Sequence, residues 1–203
     1  MPLRLVKPLI LLVLAALLAG CAGMRLIDTQ VLALAQLPPG VQLQGARYRF
    51  ERLPSQAGNP EAGLAEQQAE QALAAVGLVR DDAAAQLSVL VGFAGTQYLA
   101  DPWGRPIGPG GPFGSISISR GHWGNGVGMG FGMRFPPPTH YRREVSLLLR
   151  DLASGQVVYE TRASHEGPWS DSLPIFGVLF KAALANFPNP PAGPQRVNIE
   201  LPR

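Results

Sequence analysis

The sequence of 203 residues has a single cysteine, Cys21, so no disulfide can form within the chain and the fold must rest on its apolar core. Histidine is almost as scarce. His122, His140 and His165 are far apart in sequence and none has an acid at metal-ligand spacing, which argues against a compact zinc motif. No metal and no cofactor is expected, and the bland reading of all three is an exposed loop or strand-end histidine. Nor is there a long apolar run. The longest, Leu9–Leu18, falls well short of the ~20 residues that span a bilayer as a helix. An excess of one charge is also missing. The chain carries 17 Lys+Arg against 14 Asp+Glu, and two of the bases, Arg4 and Lys7, precede residue 20, where there are no acids. The remainder is close to neutral, which speaks against a nucleic-acid partner. No Ser/His/Asp signature with a recognisable local context is present either, so the chain reads as a non-enzyme.

The opening residues have the order of a secretory signal: a positive start at Arg4 and Lys7, an apolar core, then small residues at Ala19 and Gly20. Leu18-Ala19-Gly20-Cys21 resembles the lipobox of bacterial lipoproteins. That resemblance implies a diacylglyceryl thioether on Cys21, cleavage between Gly20 and Cys21, and acylation of the new amino group. A thiol suits this chemistry because sulfur is a strong nucleophile. Each buried methylene contributes about 0.8 kcal/mol and two or more chains make anchoring stable, so the partner expected first is a membrane. The residue after Cys21 is Ala22 and not the aspartate that commonly retains such proteins at the inner membrane. The expected location is therefore the cell envelope, at the periplasmic face of the outer membrane. The expected organisation is a signal peptide over 1–20, a lipidated tether over 21–25 and one domain over 26–203.

Glycine and proline are abundant, at 24 and 20 residues, proline about twice its usual share, and their clusters locate the loops. Leu26–Leu37 alternates as a strand and stops at Pro38-Pro39-Gly40. Gly45–Leu53 is a second strand, with Tyr48 and Phe50 in one phase. Asn59-Pro60-Glu61 opens a helix by cap, proline and first-turn acid. Its stripe is Ala65, Ala69, Ala72, Leu73 and Val76, with Glu66, Gln67, Glu70 and Gln71 facing away, and Gly77 ends it. Gln86–Phe93 is a strand. A Gly/Pro-rich insertion runs from about 101 to 138. Val145, Leu147 and Leu149 then alternate into a turn at Asp151–Gly155 and a return strand through Val157, Tyr159, Thr161 and Ala163. A last helix, capped at Ser170, Asp171 or Ser172, carries Phe176, Leu179, Phe180, Ala183, Leu184 and Phe187 on one stripe until Pro188. Arg196–Leu201 alternates as a short closing strand. This order predicts an α+β fold: a largely antiparallel sheet, two helices packed on one face, and a Gly-rich β-hairpin insertion.

Tyr48-Arg49-Phe50, Leu53-Pro54-Ser55-Gln56, the Ala/Gln/Glu helix, Val76-Gly77-Leu78, Asp81-Asp82-Ala83, the insertion, Val157-Val158-Tyr159-Glu160 and Ala185-Asn186-Phe187-Pro188 together resemble the bacterial lipoprotein family called domain of unknown function 4136. The resemblance implies an envelope location and an α+β fold, and brings no activity or catalytic residue with it.

Inside the insertion, Gly124–Gly130 lacks the spacing of a dinucleotide fingerprint and no Walker lysine follows. It reads instead as strand. Val127, Met129, Phe131, Met133 and Phe135 alternate with glycine, Phe113, Ile116 and Ile118 lie in the run upstream, and a turn around Trp123 and Asn125-Gly126 joins them. This hairpin is the candidate interaction element, its apolar face open to an envelope protein partner or to lipid. Asp81-Asp82 reads as a solvated turn and Arg142-Arg143 as an exposed strand end. The expected function is a lipid-anchored, periplasm-facing binding or scaffolding protein. The alternative is a module for a small apolar or lipid-like ligand, with a pocket lined by Phe176, Phe180 and neighbouring strand residues.

Overall fold

The computed structural model describes residues 23–39, 41–101, 103–107, 115–116, 133–134 and 137–202. Gly20, Cys21 and, in the insertion, Phe113, Ile118, Trp123, Val127, Met129, Phe131 and Phe135 lie outside them. In chain order the elements are β1 (Met24–Ala35), β2 (Arg47–Glu51), α1 (Pro60–Ala75), β3 (Val79–Arg80), β4 (Leu87–Leu99), β5 (Ser115–Ile116), β6 (Met133–Arg134), β7 (Thr139–Asp151), β8 (Val157–Gly167), α2 (Ser172–Ala183) and β9 (Gln195–Pro202). Seven strands form one mixed sheet in the order β3-β2-β4-β7-β8-β1-β9. Only β2 pairs in parallel, with β3 and β4; every other ladder of that sheet is antiparallel. The fold is thus α+β with both helices against the sheet.

Strand periodicity sorts the residues into two faces. Ile27, Val31 and Ala33 of β1, Val89 and Val91 of β4, Val145, Leu147 and Leu149 of β7, and Tyr159 and Ala163 of β8 are buried. They meet Ile175, Leu179 and Phe180 of α2 and Ala65, Ala69, Ala72 and Leu73 of α1 in one core. The small residues of α1 let its backbone approach the sheet. Among the described residues the other sheet face has no helix over it. Met24, Leu26, Leu32 and Leu34 of β1 are exposed there. They lie among the ion pairs Arg162–Glu144, Arg142–Glu166 and Arg196–Asp28, with N–O distances of 3.2, 3.4 and 3.4 Å.

The helix ends follow their local signals. The Asn59 side chain accepts a hydrogen bond from the Glu61 N–H, 2.9 Å, as an N-cap should. At the other end of α1 the Gly77 N–H bonds the Ala74 carbonyl and the Leu78 N–H reaches the Leu73 carbonyl, a Schellman pair that needs the positive φ of 88° found at Gly77. Helix α2 stops at Ala183, five residues before Pro188, and the Thr161 hydroxyl donates to the Ala183 carbonyl, 2.9 Å, satisfying one of the acceptors that a helix end leaves open.

Three expectations are corrected. Glu66 does not face away from the core: it is buried, and both its oxygens accept from Arg52, at 2.6 and 2.7 Å. Strands β4, β7 and β8 run beyond their expected ends, to Leu99, back to Thr139 and to Gly167, because β7 pairs with β4 out to Leu99–Thr139 on one edge and with β8 out to Tyr141–Gly167 on the other. A two-residue strand, β3, follows the glycine of α1 and adds a parallel edge to β2.

Removing the Leu147 side chain, fully buried in the central strand, is expected to cost about 2–5 kcal/mol. Leu32→Ala on the open face should cost less than about 1 kcal/mol. Urea denaturation midpoints of the two variants check the assignment of faces.

Candidate functional site

The sheet has two unlike ends, and one of them gathers the features of interest. Strand β1 starts at Met24, three residues after Cys21. Its antiparallel neighbour β8 finishes at Gly167, β7 starts at Thr139, and Leu99 of β4 lies opposite Thr139. The residues that follow Cys21 and both roots of the insertion therefore emerge at the same end. Within the insertion Ser115–Ile116 pairs antiparallel with Met133–Arg134, Ile116 opposite Met133.

Just inside this end two arginines turn to the helix side, Arg143 buried and Arg25 half-buried. Arg143 is 1% exposed. Its Nε donates to Ser172 Oγ, 3.0 Å, and its Nη2 to the Trp169 carbonyl, 2.7 Å, while its guanidinium sits 4.9 Å from the Tyr141 ring centroid. Burial pulls its pKa below the ordinary value. Arg25 grips Asp171 with both Nη atoms, at 2.7 and 2.6 Å, and lies 5.2 Å from the Trp169 ring centroid. The paired guanidinium holds the Asp171 carboxyl below its usual range. Asp171 occupies the N-cap position of α2, yet its side chain caps nothing, because it is committed to Arg25. The cluster pins the start of β1 to the start of α2.

This overturns the reading of Arg142-Arg143 as an exposed strand end: Arg142 is exposed, but Arg143 points inward. His165 is corrected in the same way. It is buried, and its Nδ1 lies 2.8 Å from the Asp28 carbonyl, an acceptor, which puts the ring proton on Nδ1. His140 is half-buried beside Tyr98, and His122 lies outside the described residues. Asp81 sits in a solvated turn as expected, accepting from the Ala83 and Ala84 N–H groups and pairing with Arg47. Among the described residues no group of three His, Cys, Asp or Glu could hold a metal ion.

A groove of about 600 Å³ opens between α1, α2 and β4. Leu64, Phe93, Leu173 and Phe176 supply its apolar surface, and Gln56, Asn59, Gln68 and Ser172 its polar rim. Phe93 and Phe176 meet edge to face at 6.2 Å. Phe176 thus lines the groove, but Phe180 does not; it is fully buried in the core. Ser172 belongs to both the groove and the Arg143 cluster, so the two are continuous. The volume lies within the range of small-molecule sites.

No family model matches the chain, and no curated protein matches it. Among solved structures it is similar to a PDZ domain protein from Parabacteroides distasonis, at 12% identity and a TM-score of 0.50, over 87% of this chain and 39% of that one. The chain therefore spans well under half of that protein. It is also similar to PelC dodecamers from Paraburkholderia phytofirmans, at 13% identity and TM-scores of 0.40 and 0.41, over 77% of this chain and 95% of theirs. At these identities the likeness concerns the fold alone.

Truncating Arg143 leaves the Trp169 carbonyl and the Ser172 hydroxyl without their donor. Arg143→Ala is expected to destabilise by about 2–4 kcal/mol. Arg143→Met fills the same space but leaves the same two acceptors unpaired, so it should cost less than Arg143→Ala, by about 1–2 kcal/mol, and still fall below wild type. Thermal melts of the two variants, read side by side, separate packing from charge.

Proposed function

We propose that this chain is a lipid-anchored envelope protein, tethered through Cys21 and facing the periplasm, that works by binding or scaffolding without catalysis. The observation that carries the reading is the Leu18-Ala19-Gly20-Cys21 sequence directly after a short apolar core, with the chain's only thiol at its end. The position of β1 supports it. Strand β1 begins three residues later, at an end of the sheet. No helix among the described residues is long and apolar enough to cross a membrane, so attachment would fall to the lipid. The Gly-rich segment between Leu99 and Thr139 rises from the same end and is the element offered to an envelope partner.

The groove beside Phe176 favours a second reading, a site for a small apolar or lipid-like ligand. Its aromatic floor and amide-bearing rim suit a molecule with an acyl or ring body and a polar head.

Cys21→Ala is expected to move the protein from the membrane to the soluble fraction, and intact-mass measurement of the wild type should show the added acyl groups. A wild-type product with a bare thiol would sink the anchor. For the groove, Leu64→Glu and Leu173→Glu together, both at exposed helix positions, should weaken binding of a fluorescent fatty acid at least about tenfold. An unchanged or absent signal in the wild type rejects that reading.

A further inference from the structure

We infer that the sheet end from which β1 emerges is a bilayer-contact surface, with Trp103 as an indole that seats in the headgroup region; this rests on the lipid anchor proposed above.

Distance sets the first condition. Two residues, Ala22 and Gly23, separate Cys21 from Met24, and three extended steps span at most about 11 Å. An acyl group on Cys21 would therefore hold this end of the sheet at the lipid surface, with no length of linker to let it turn away. Strand β4 is three strands across from β1, about 14 Å at the usual spacing, so its end is brought down with it.

The second condition is what that end presents. Trp103 is 79% exposed, more than any other large apolar side chain described. Its exposure is built and not accidental. Asp101 Oδ1 accepts from the N–H groups of Trp103 and Arg105, both at 2.9 Å, and Asp101 Oδ2 accepts from Arg105 Nε at 2.7 Å. The Ile107 N–H bonds the Leu99 carbonyl, 2.8 Å, and closes the loop at its base. Gly104 turns at a φ of 82°, where a Cβ would come within 3.2 Å of His140. The loop is thus fastened at its tip, its base and its flank, yet among the described residues the indole it carries meets only the Arg105 guanidinium, 5.4 Å away. Holding a large apolar ring away from the described core by so many bonds makes physical sense when another apolar surface receives it, and the short tether from Cys21 brings lipid to this end.

The third condition is chemical fit. Tyr98, His140, Tyr141 and Trp169 are half-buried around the same end, and Leu99, Met24 and Leu26 are exposed there. Rings with one apolar body and one polar edge are the side chains that favour the membrane–water boundary, and the exposed Arg105 suits lipid phosphate. At the opposite end the turns 81–86 and 152–156 hold no aromatic residue, the 184–194 connection holds one, Phe187, whose ring packs on Tyr159, and Asp81 and Asp151 cap backbone there.

The test uses the acylated full-length protein on phosphatidylethanolamine–phosphatidylglycerol vesicles with and without lipid brominated near the top of the acyl chains. Flotation reports the anchor and tryptophan quenching reports the contact, so the two can fail separately. Wild type and Trp103→Phe are both expected to float. Brominated lipid should quench the wild type, and the quenching should fall at least about twofold in Trp103→Phe. Floating protein whose quenching is absent, or identical in the two chains, overturns the inference and leaves Trp103 for a protein partner. Protein that fails to float overturns the anchor, and this inference with it.

Discussion

The placement of β1 between β8 and β9 is the constraint on which the other features depend. Gln30 faces Ser164 on one side and Arg196 on the other. The strand nearest the start of the chain is thus held on both edges by strands made well over a hundred residues later, and cannot form before them. Contacts of that sequence separation are slow to form, but once made they place β1 in the cooperative core. A tether attached to such a strand grips a rigid body. Under the proposed anchor at Cys21, only two residues would separate the lipid from this sheet, and the Arg25–Asp171 pair joins the start of β1 to α2.

One-sided cover of the sheet explains where polar groups could be tolerated. The helix side is dry along most of its length, with Ile175, Leu179 and Phe180 over the strand interiors. Where polar side chains do enter it, each is bound. Glu66 is met by Arg52, Thr161 by the last turn of α2, and Arg143 by the Trp169 carbonyl and Ser172. Thr29 and Tyr159 are exceptions: neither hydroxyl finds a partner among the described residues, burial pushes the Tyr159 pKa up to about 12, and its ring is held by Phe187 at 5.0 Å. The open face needs no such precautions. Its cross-strand ion pairs are solvated, each adds little, and their main effect is to keep Leu32 and Leu34 from forming a continuous apolar sheet.

Most of the architecture was legible because it is written in short periods. The alternation of β7 and β8, the Asn59 cap and the glycine after α1 are local signals, and local physics reads them correctly. Arg143 and His165 were misread for a different reason. Arg143 continues the inward phase of Val145, Leu147 and Leu149, and His165 that of Thr161 and Ala163, so phase alone predicted both. Charge and position near a strand end argued the other way. Burial won because the connection from β8 supplies the Trp169 carbonyl and the first residue of α2 supplies the Ser172 hydroxyl as acceptors, which no property of residues 142–143 reveals. The Arg25–Asp171 pair, separated by 146 residues, had no local trace at all. The groove was half anticipated: Phe176 lies on the open flank of the α2 stripe, while Phe180, one turn on, is at its centre.

The cluster, the groove and the exposed loop are close neighbours, and this bears on how binding and attachment would coexist. Ser172 lines the groove and accepts from Arg143, and Gly95 of β4, which also lines the groove, lies opposite Arg143 in the ladder. The β4 strand that borders the groove continues to Leu99 and the Trp103 loop. A ligand filling the groove would press on Phe93, Phe176 and the first turn of α2, whose start is tied through Asp171 to Arg25 and so to the chain next to Cys21. Occupancy and attachment would then act on one rigid unit, without a hinge between them. A bound molecule could change what this end presents only by shifting α2 against β1, and the bidentate Arg25–Asp171 pair resists that displacement most directly.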